Sequence, residues 1–174
     1  TAENVPAYFE HIYPELASLE LIQDFQDRYR QVGGSPLIEI TCEQAALLQQ
    51  SLGSGFVVRA GMRHSDPFIA TAITQCKEAG AEKLIGIILA PQFSSLIMDA
   101  YRKEFTQGAE AAGFSEKDTT LVEPWPDEAH FIDLLAERVR EALSKLEALY
   151  KCSIPVIFTT HSLPQRVVEN DPTY

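Results

Sequence analysis

Lys83-Leu84-Ile85-Gly86-Ile87-Ile88-Leu89-Ala90 decides the fold. A near-continuous apolar run of this length is typical of a strand buried on both faces of a parallel sheet. Its neighbours alternate in type. Upstream, a short strand at Phe56–Ala60 leads to a helix predicted over Pro67–Glu78, with Pro67 in its first turn and Ala79-Gly80 at its end. Downstream, a long helix runs from about Ser95 to Ala112 and stops at Gly113. A strand over Thr119–Glu123, a helix over Asp127–Tyr150 and a strand over Ile154–Thr159 follow. Alternation of this kind implies right-handed βαβ crossovers and an α/β fold, an open, mostly parallel sheet covered by helices. The chain before Phe56 reads as helix. Apolar positions at helical spacing occupy Pro6–Tyr13 and Leu16–Val32, the second ended by Gly33-Gly34. Thr41, with Gln44 three residues on, has the spacing of a capping box for a third helix reaching Leu52.

Length and charge narrow the function. The chain has 174 residues, the size of one domain. Fourteen Lys+Arg against twenty-five Asp+Glu give a net charge of −11, with pI near 4.7. Nucleic-acid binding needs clustered cations, and anchoring to anionic lipid needs a basic run; neither is present. No apolar stretch of about 18 residues is available to span a membrane. The first residues, Thr1-Ala2-Glu3-Asn4, do not read as a secretory signal. Cys42, Cys76 and Cys152 are odd in number and widely spaced, which suits a reducing cytoplasm.

In open parallel sheets, ligands bind beyond the carboxyl ends of the strands. Three segments are predicted there: Gly61–Ser65, Pro91–Ser94 and Thr160–Pro164. The last holds His161. A strand-end imidazole can ligate a metal or act as a base near pH 7, and Ser162 and Pro164 equally suit a plain turn. His64 lies with Arg63 and Asp66 before a helix; Asp66 as helix cap, with His64 packed beside it, is the alternative reading. His11 and His130 fall on helices. There is no HExxH, no calcium loop, no GxGxxG and no P-loop. Cys42 precedes a helical run, but no histidine is near it in sequence. Arg28, Tyr29, Ser35 and Tyr101 are unremarkable one by one: a solvated charge, two packing aromatics and a turn residue.

Three segments in order resemble ferrochelatases. Arg28-Tyr29-Arg30-Gln31-Val32-Gly33-Gly34-Ser35-Pro36-Leu37, followed by Thr41, is similar to the family's RY-x-x-(I/V)-GG-x-SPL segment, one residue shorter between the glycines and the serine. Gly61-Met62-Arg63-His64-Ser65-Asp66-Pro67 is similar to G-(M/L)-(R/K)-(H/Y)-x-x-P. Thr160-His161-Ser162-Leu163-Pro164 with Asp171-Pro172-Thr173-Tyr174 resembles the signature AHSLP…DPY, with Thr160 in place of the small residue and Thr173 inserted. Leu89-Ala90-Pro91-Gln92-Phe93-Ser94, leading to Ala100-Tyr101, is similar to the branch that makes coproheme in Gram-positive bacteria.

The resemblance implies a cytoplasmic enzyme that inserts Fe²⁺ into a porphyrin, coproporphyrin III in this branch. Iron and porphyrin are then substrates, and no prosthetic group is expected. His161 takes the role of the metal-site histidine, with His64 as a possible secondary site. Arg28, Tyr29, Ser35 and Tyr101 match positions that hold porphyrin propionates and edges. The resemblance also implies that residues 1–174 form an N-terminal lobe, with the family's first strand before Thr1 and its second lobe after Tyr174. Alternatives are a protoporphyrin ferrochelatase, a sirohydrochlorin cobalt chelatase, and a non-catalytic tetrapyrrole- or iron-binding lobe.

Overall fold

Glycine and proline mark most places where the chain changes element. The computed structural model describes residues 2–12, 15, 18–159, 165 and 169. After a 3₁₀ turn at Ala2–Asn4 come α1 (Val5–Ile12), α2 (Leu19–Gln31) and α3 (Leu37–Leu52). Then follow α4 (Ile69–Glu78), β1 (Leu84–Ile87), α5 (Ser95–Ala111), a 3₁₀ turn at Glu116–Asp118, β2 (Thr119–Val122) and α6 (Ala129–Tyr150). β1 and β2 are hydrogen-bonded neighbours in an open parallel sheet, with α5 as the crossover. The protein is therefore helix-rich α/β, as the alternation from Phe56 onward predicts.

The chain divides into two compact units, Thr1–Gly86 with Tyr101–Leu121, and Ile87–Ala100 with Val122–Tyr174. The first unit buries Ile73, Cys76, Leu84, Phe105, Ala109 and Phe114 together, with Val57, Ile69 and Leu121 packed against them. Glycines let the layers touch. A Cβ on Gly86 would come within 2.6 Å of the Phe105 ring, and one on Gly108 within 2.9 Å of Ile73 Cδ1. Any larger side chain there would push α5 off the strand or off α4. In the second unit Trp125 ties the chain after β2 to the end of β1. Its indole N–H donates to the Ile88 carbonyl at 2.9 Å, its backbone N–H donates to Pro91 O at 3.0 Å, and its ring meets Phe131 edge-on at 5.1 Å.

Four local expectations are corrected. α3 begins at Leu37, not at Thr41. Thr41 lies inside the helix, and its hydroxyl donates back to Leu37 O at 2.8 Å, the bond a mid-helix threonine makes in place of a cap. α4 begins at Ile69 with Phe68 at its N-cap, so Asp66-Pro67, joined by a cis peptide, precedes the helix and Asp66 does not cap it. Phe56–Ala60 forms no ladder among the described residues. The Gln49 side chain takes a neighbouring strand's place, accepting from Val58 N–H and donating to Gly53 O and Phe56 O, each at 2.9 Å. Described residues 154–159 are not a strand either. The Ile154 N–H reaches Glu147 of α6, and Ile157 and Phe158 are 81% and 85% exposed. An apolar segment with no neighbouring strand has no ladder to join.

Candidate functional site

The Gly61–Pro67 turn is closed on itself and pinned to α5. Met62 N–H donates to Pro67 O at 2.7 Å, Ile69 N–H donates to Met62 O at 3.1 Å, and Met62 and Phe68 form a parallel bridge. A side chain at position 61 would be tight, because a Cβ would lie 3.0 Å from Ile69 Cα and 3.3 Å from Ala72 Cβ. From this turn Arg63 reaches α5. Its Nε donates to Glu104 Oε1 at 2.9 Å, across 41 residues of sequence, and the two side chains are only 20% and 31% exposed. The guanidinium carbon lies 5.3 Å from the centre of the Tyr101 ring, a cation–π contact. Tyr101 and Glu104 are three apart on α5 and so share a face. Burial pushes the Tyr101 phenol above its ordinary value; the Arg63 charge pulls it down and the Glu104 carboxylate raises it again.

His64, next to Arg63, meets the Tyr8 ring edge-on at 5.7 Å. Tyr8 meets Phe9 at 6.1 Å, Phe9 meets Phe25 at 4.9 Å, and the Arg28 guanidinium lies 5.3 Å over Phe25. A line of rings therefore runs from the Gly61–Pro67 turn through α1 to α2. Five residues of interest occur along it or beside it: Tyr101, Arg63, His64, Tyr8 and Arg28.

The end of α2 is organised differently. Arg28 is paired with Asp24 at 2.7 Å within the same helix, and the two side chains are 66% and 48% exposed. Tyr29, half-buried, contributes its carbonyl to Gly34 N–H at 2.8 Å, closing the helix through Gly33 and Gly34, both at positive φ. Ser35 is exposed, and its hydroxyl accepts from Leu37 N–H at 3.3 Å at the entrance to α3. The four porphyrin-contact candidates thus fall into two groups: Tyr101 on α5, against Arg63 of the packed turn, and Arg28, Tyr29 and Ser35 at the exposed end of α2.

His161 and the rest of Thr160–Pro164 lie outside the described residues, as do Asp171 to Tyr174. Among the described residues no cluster of three or more His, Cys, Asp or Glu side chains is placed to hold a metal. His130 is exposed and pairs with Glu128, the N-cap of α6, at 2.9 Å. That bond raises the imidazole and lowers the carboxylate. The three cysteines are free thiols, and burial pushes Cys76 up. A cleft of about 370 Å³ lies between α3 and the 58–60 segment, lined by Cys42, Gln49, Arg59 and Gln75 among others. Sequence reasoning missed Glu104 and Tyr8. The three-residue spacing of Tyr101 and Glu104 was the one available signal; nothing in sequence ties either to Arg63.

In this α/β chain the Gly61–Pro67 turn carries a guanidinium and an imidazole, and α5 sets a phenol against the first of them. The family is shown directly. The family model described as ferrochelatase matches residues 3–174, and the chain belongs to that family. It is 35% identical over 181 residues to the coproporphyrin III ferrochelatase of Halalkalibacterium halodurans, covering 100% of this chain and 57% of that protein. It is 35% identical over 182 residues to coproporphyrin III ferrochelatase 2 of Bacillus cereus (99% and 55%), and 34% identical over 181 residues to the coproporphyrin III ferrochelatase of Bacillus subtilis (98% and 57%). The chain thus spans a little over half the length of the curated relatives it matches.

Proposed function

We propose that this chain is the N-terminal lobe of an enzyme that inserts Fe²⁺ into coproporphyrin III to give coproheme, in heme biosynthesis. The observation that carries the reading is similarity over nearly the whole chain to relatives bearing that activity in their names. Iron and porphyrin are both substrates, and no prosthetic group is required. A cytoplasmic location belongs to the same reading; three free thiols suit it, and no described helix is long and apolar enough to cross a membrane.

The chemistry assigns roles. Two pyrrole N–H protons leave as Fe²⁺ enters the ring, so the macrocycle loses two protons and gains a dication with no change in total charge. A group that exchanges protons near pH 7 is needed at the ring face, and His161 fills that role while its imidazole suits Fe²⁺. His64 is a secondary candidate for the same work. Arg28 offers a planar fork to a propionate. Tyr29, Ser35 and Tyr101 complete the contacts with hydroxyls and ring edges.

The test uses the full-length protein. Iron insertion is measured with coproporphyrin III and with protoporphyrin IX, for wild type and His161→Ala. Wild type should prefer coproporphyrin III. The variant should lose at least roughly a hundredfold in turnover, the lower end for a lost acid–base group, and still bind porphyrin. Preference for protoporphyrin would move the protein to the other branch. Binding without insertion in wild type would favour the non-catalytic lobe.

A further inference from the structure

Glu104 has no part in the proposed function, yet it makes a hydrogen-bonded contact between the Gly61–Pro67 turn and α5. Arg63 is four-fifths buried, and a guanidinium so placed needs a partner to offset lost hydration. Glu104 is that partner, through Nε. Among the described residues Arg63 Nη1 and Nη2 donate no further hydrogen bond. The guanidinium is therefore anchored at one edge by a carboxylate and supported from below by the Tyr101 ring. Because Glu104 stands one turn after Tyr101 on α5, a single carboxylate sets where the cation lies relative to that ring. Without it the three-methylene stem of Arg63 is free to swing the guanidinium to solvent. The turn carrying His64 then loses its side-chain tie to α5, and the Tyr101 ring loses the cover that holds its orientation.

We propose that Glu104 is a positioning residue of the porphyrin site: it holds Arg63 over Tyr101, and so fixes the ring of Tyr101 and the turn that presents His64. This rests on the proposed function, in which Tyr101 touches the porphyrin; Glu104 itself need not. The effect should fall on substrate binding more than on the chemical step, because a misplaced contact weakens binding of ground state and transition state alike. The charge of Glu104 also raises the Tyr101 phenol, which gives a spectroscopic reporter independent of turnover.

The experiment compares wild type, Glu104→Ala, Glu104→Gln and Tyr101→Ala in the full-length protein. Coproporphyrin III binding is followed by porphyrin fluorescence, and iron insertion by steady-state kinetics. Tyr101 ionisation is read from tyrosinate absorbance, as the difference from the same protein carrying Tyr101→Phe. Glu104→Ala should raise Kd and KM about three- to tenfold, a partial loss of a charged hydrogen bond's contribution, with kcat within roughly twofold. Glu104→Gln keeps the volume and an oxygen acceptor for Arg63 Nε. It should restore Kd to near wild type while the phenol still ionises at lower pH than in wild type; it also carries the test if the alanine variant is insoluble. Wild-type Kd and KM in a folded Glu104→Ala protein overturn the proposal. So does a loss that glutamine fails to restore with the phenol unmoved, because that marks a merely structural carboxylate. If Tyr101→Ala binds coproporphyrin III as tightly as wild type, the failure lies with the porphyrin role of Tyr101 and not with the Glu104–Arg63 geometry.

Discussion

Two arginines in the first unit do opposite things with similar partners. Arg63 pairs with a carboxylate 41 residues away, mostly out of solvent, over an aromatic ring. Arg28 pairs with a carboxylate one helical turn away, mostly in solvent, also over an aromatic ring. The first pair ties two elements together and is costly to break from one side. The second is an ordinary i,i+4 helix pair, worth a few tenths of a kcal/mol, which a ligand carboxylate can displace cheaply. One region is set before any ligand arrives; the other stays available. On the proposed function, porphyrin binding would use both, a rigid support and a donor that can turn.

The largest expected effect tests the rigid region. Gly61→Val places side-chain atoms against the backbone of α4, where even a Cβ has only 3.0 Å. It should destabilise the protein by about 3 kcal/mol, the upper end for overpacking, read as a lower midpoint in urea. Gly34→Ala, in the exposed region, meets open space but must keep φ near +91°; it should cost only about 1 kcal/mol. Equal costs would erase the contrast between a glycine required by contact and one required by conformation.

The arginines come next, and their effects should cross. Arg63→Ala leaves the Glu104 carboxylate, 31% exposed, without its cation and should lower stability by about 1 kcal/mol, the low end for an unpaired group because water reaches it in part. Arg28→Ala should stay within about 0.5 kcal/mol of wild type in stability. In porphyrin affinity, Arg28→Ala should lose on the order of 1.5–3 kcal/mol, the scale of a charged hydrogen bond. Urea unfolding and porphyrin titration on the same two variants decide it. A destabilised Arg28→Ala protein with normal affinity would falsify the division of labour.

The smallest effect is in pH. The Tyr101 phenol ionises above its ordinary value of about 10 in the folded protein, mainly because it is buried. A raised folded value means that the native state holds its proton longer than the unfolded chain. Stability is then fully present below pH ~10 and falls as pH rises through the folded value. Tyr101→Phe should flatten that decline, as measured by thermal unfolding at several alkaline pH values. An unchanged slope would place the phenol in solvent and the Arg63 cover with it.

Sequence was informative where physics is local. A strand falls inside the apolar run Lys83–Ala90 and a helix starts at Ser95 as expected, because periodicity responds to burial that neighbours in sequence share. The strand is shorter, Leu84–Ile87, and is not buried on both faces, since Ile85 and Ile87 are 63% and 51% exposed. Local reading went astray where a side chain competes with backbone. Thr41 has the spacing of a capping box, yet it bonds back into a helix that starts four residues earlier. Phe56–Ala60 is not the predicted strand, because the Gln49 amide from α3 occupies the hydrogen bonds that a ladder would use.

The candidate site divides in the same way. The motif residues of the Gly61–Pro67 turn, Tyr101 and the Arg28–Ser35 segment could be picked out from the chain because their spacing resembles a family. Sequence by itself thus determined the α/β class, the acidic surface that disfavours nucleic acid, and the residues worth watching. Only the tertiary structure decided which of them are held and which are free. A guanidinium's strength depends on how far water is excluded around it and on what lies across it in space. For Arg63 those are Glu104 and Tyr101, brought in by the packing of α5 against α4 through Gly108. For Arg28 the partner is only the next turn of its own helix. Contacts separated by 41 residues leave no periodic trace in a sequence, whereas contacts separated by four do.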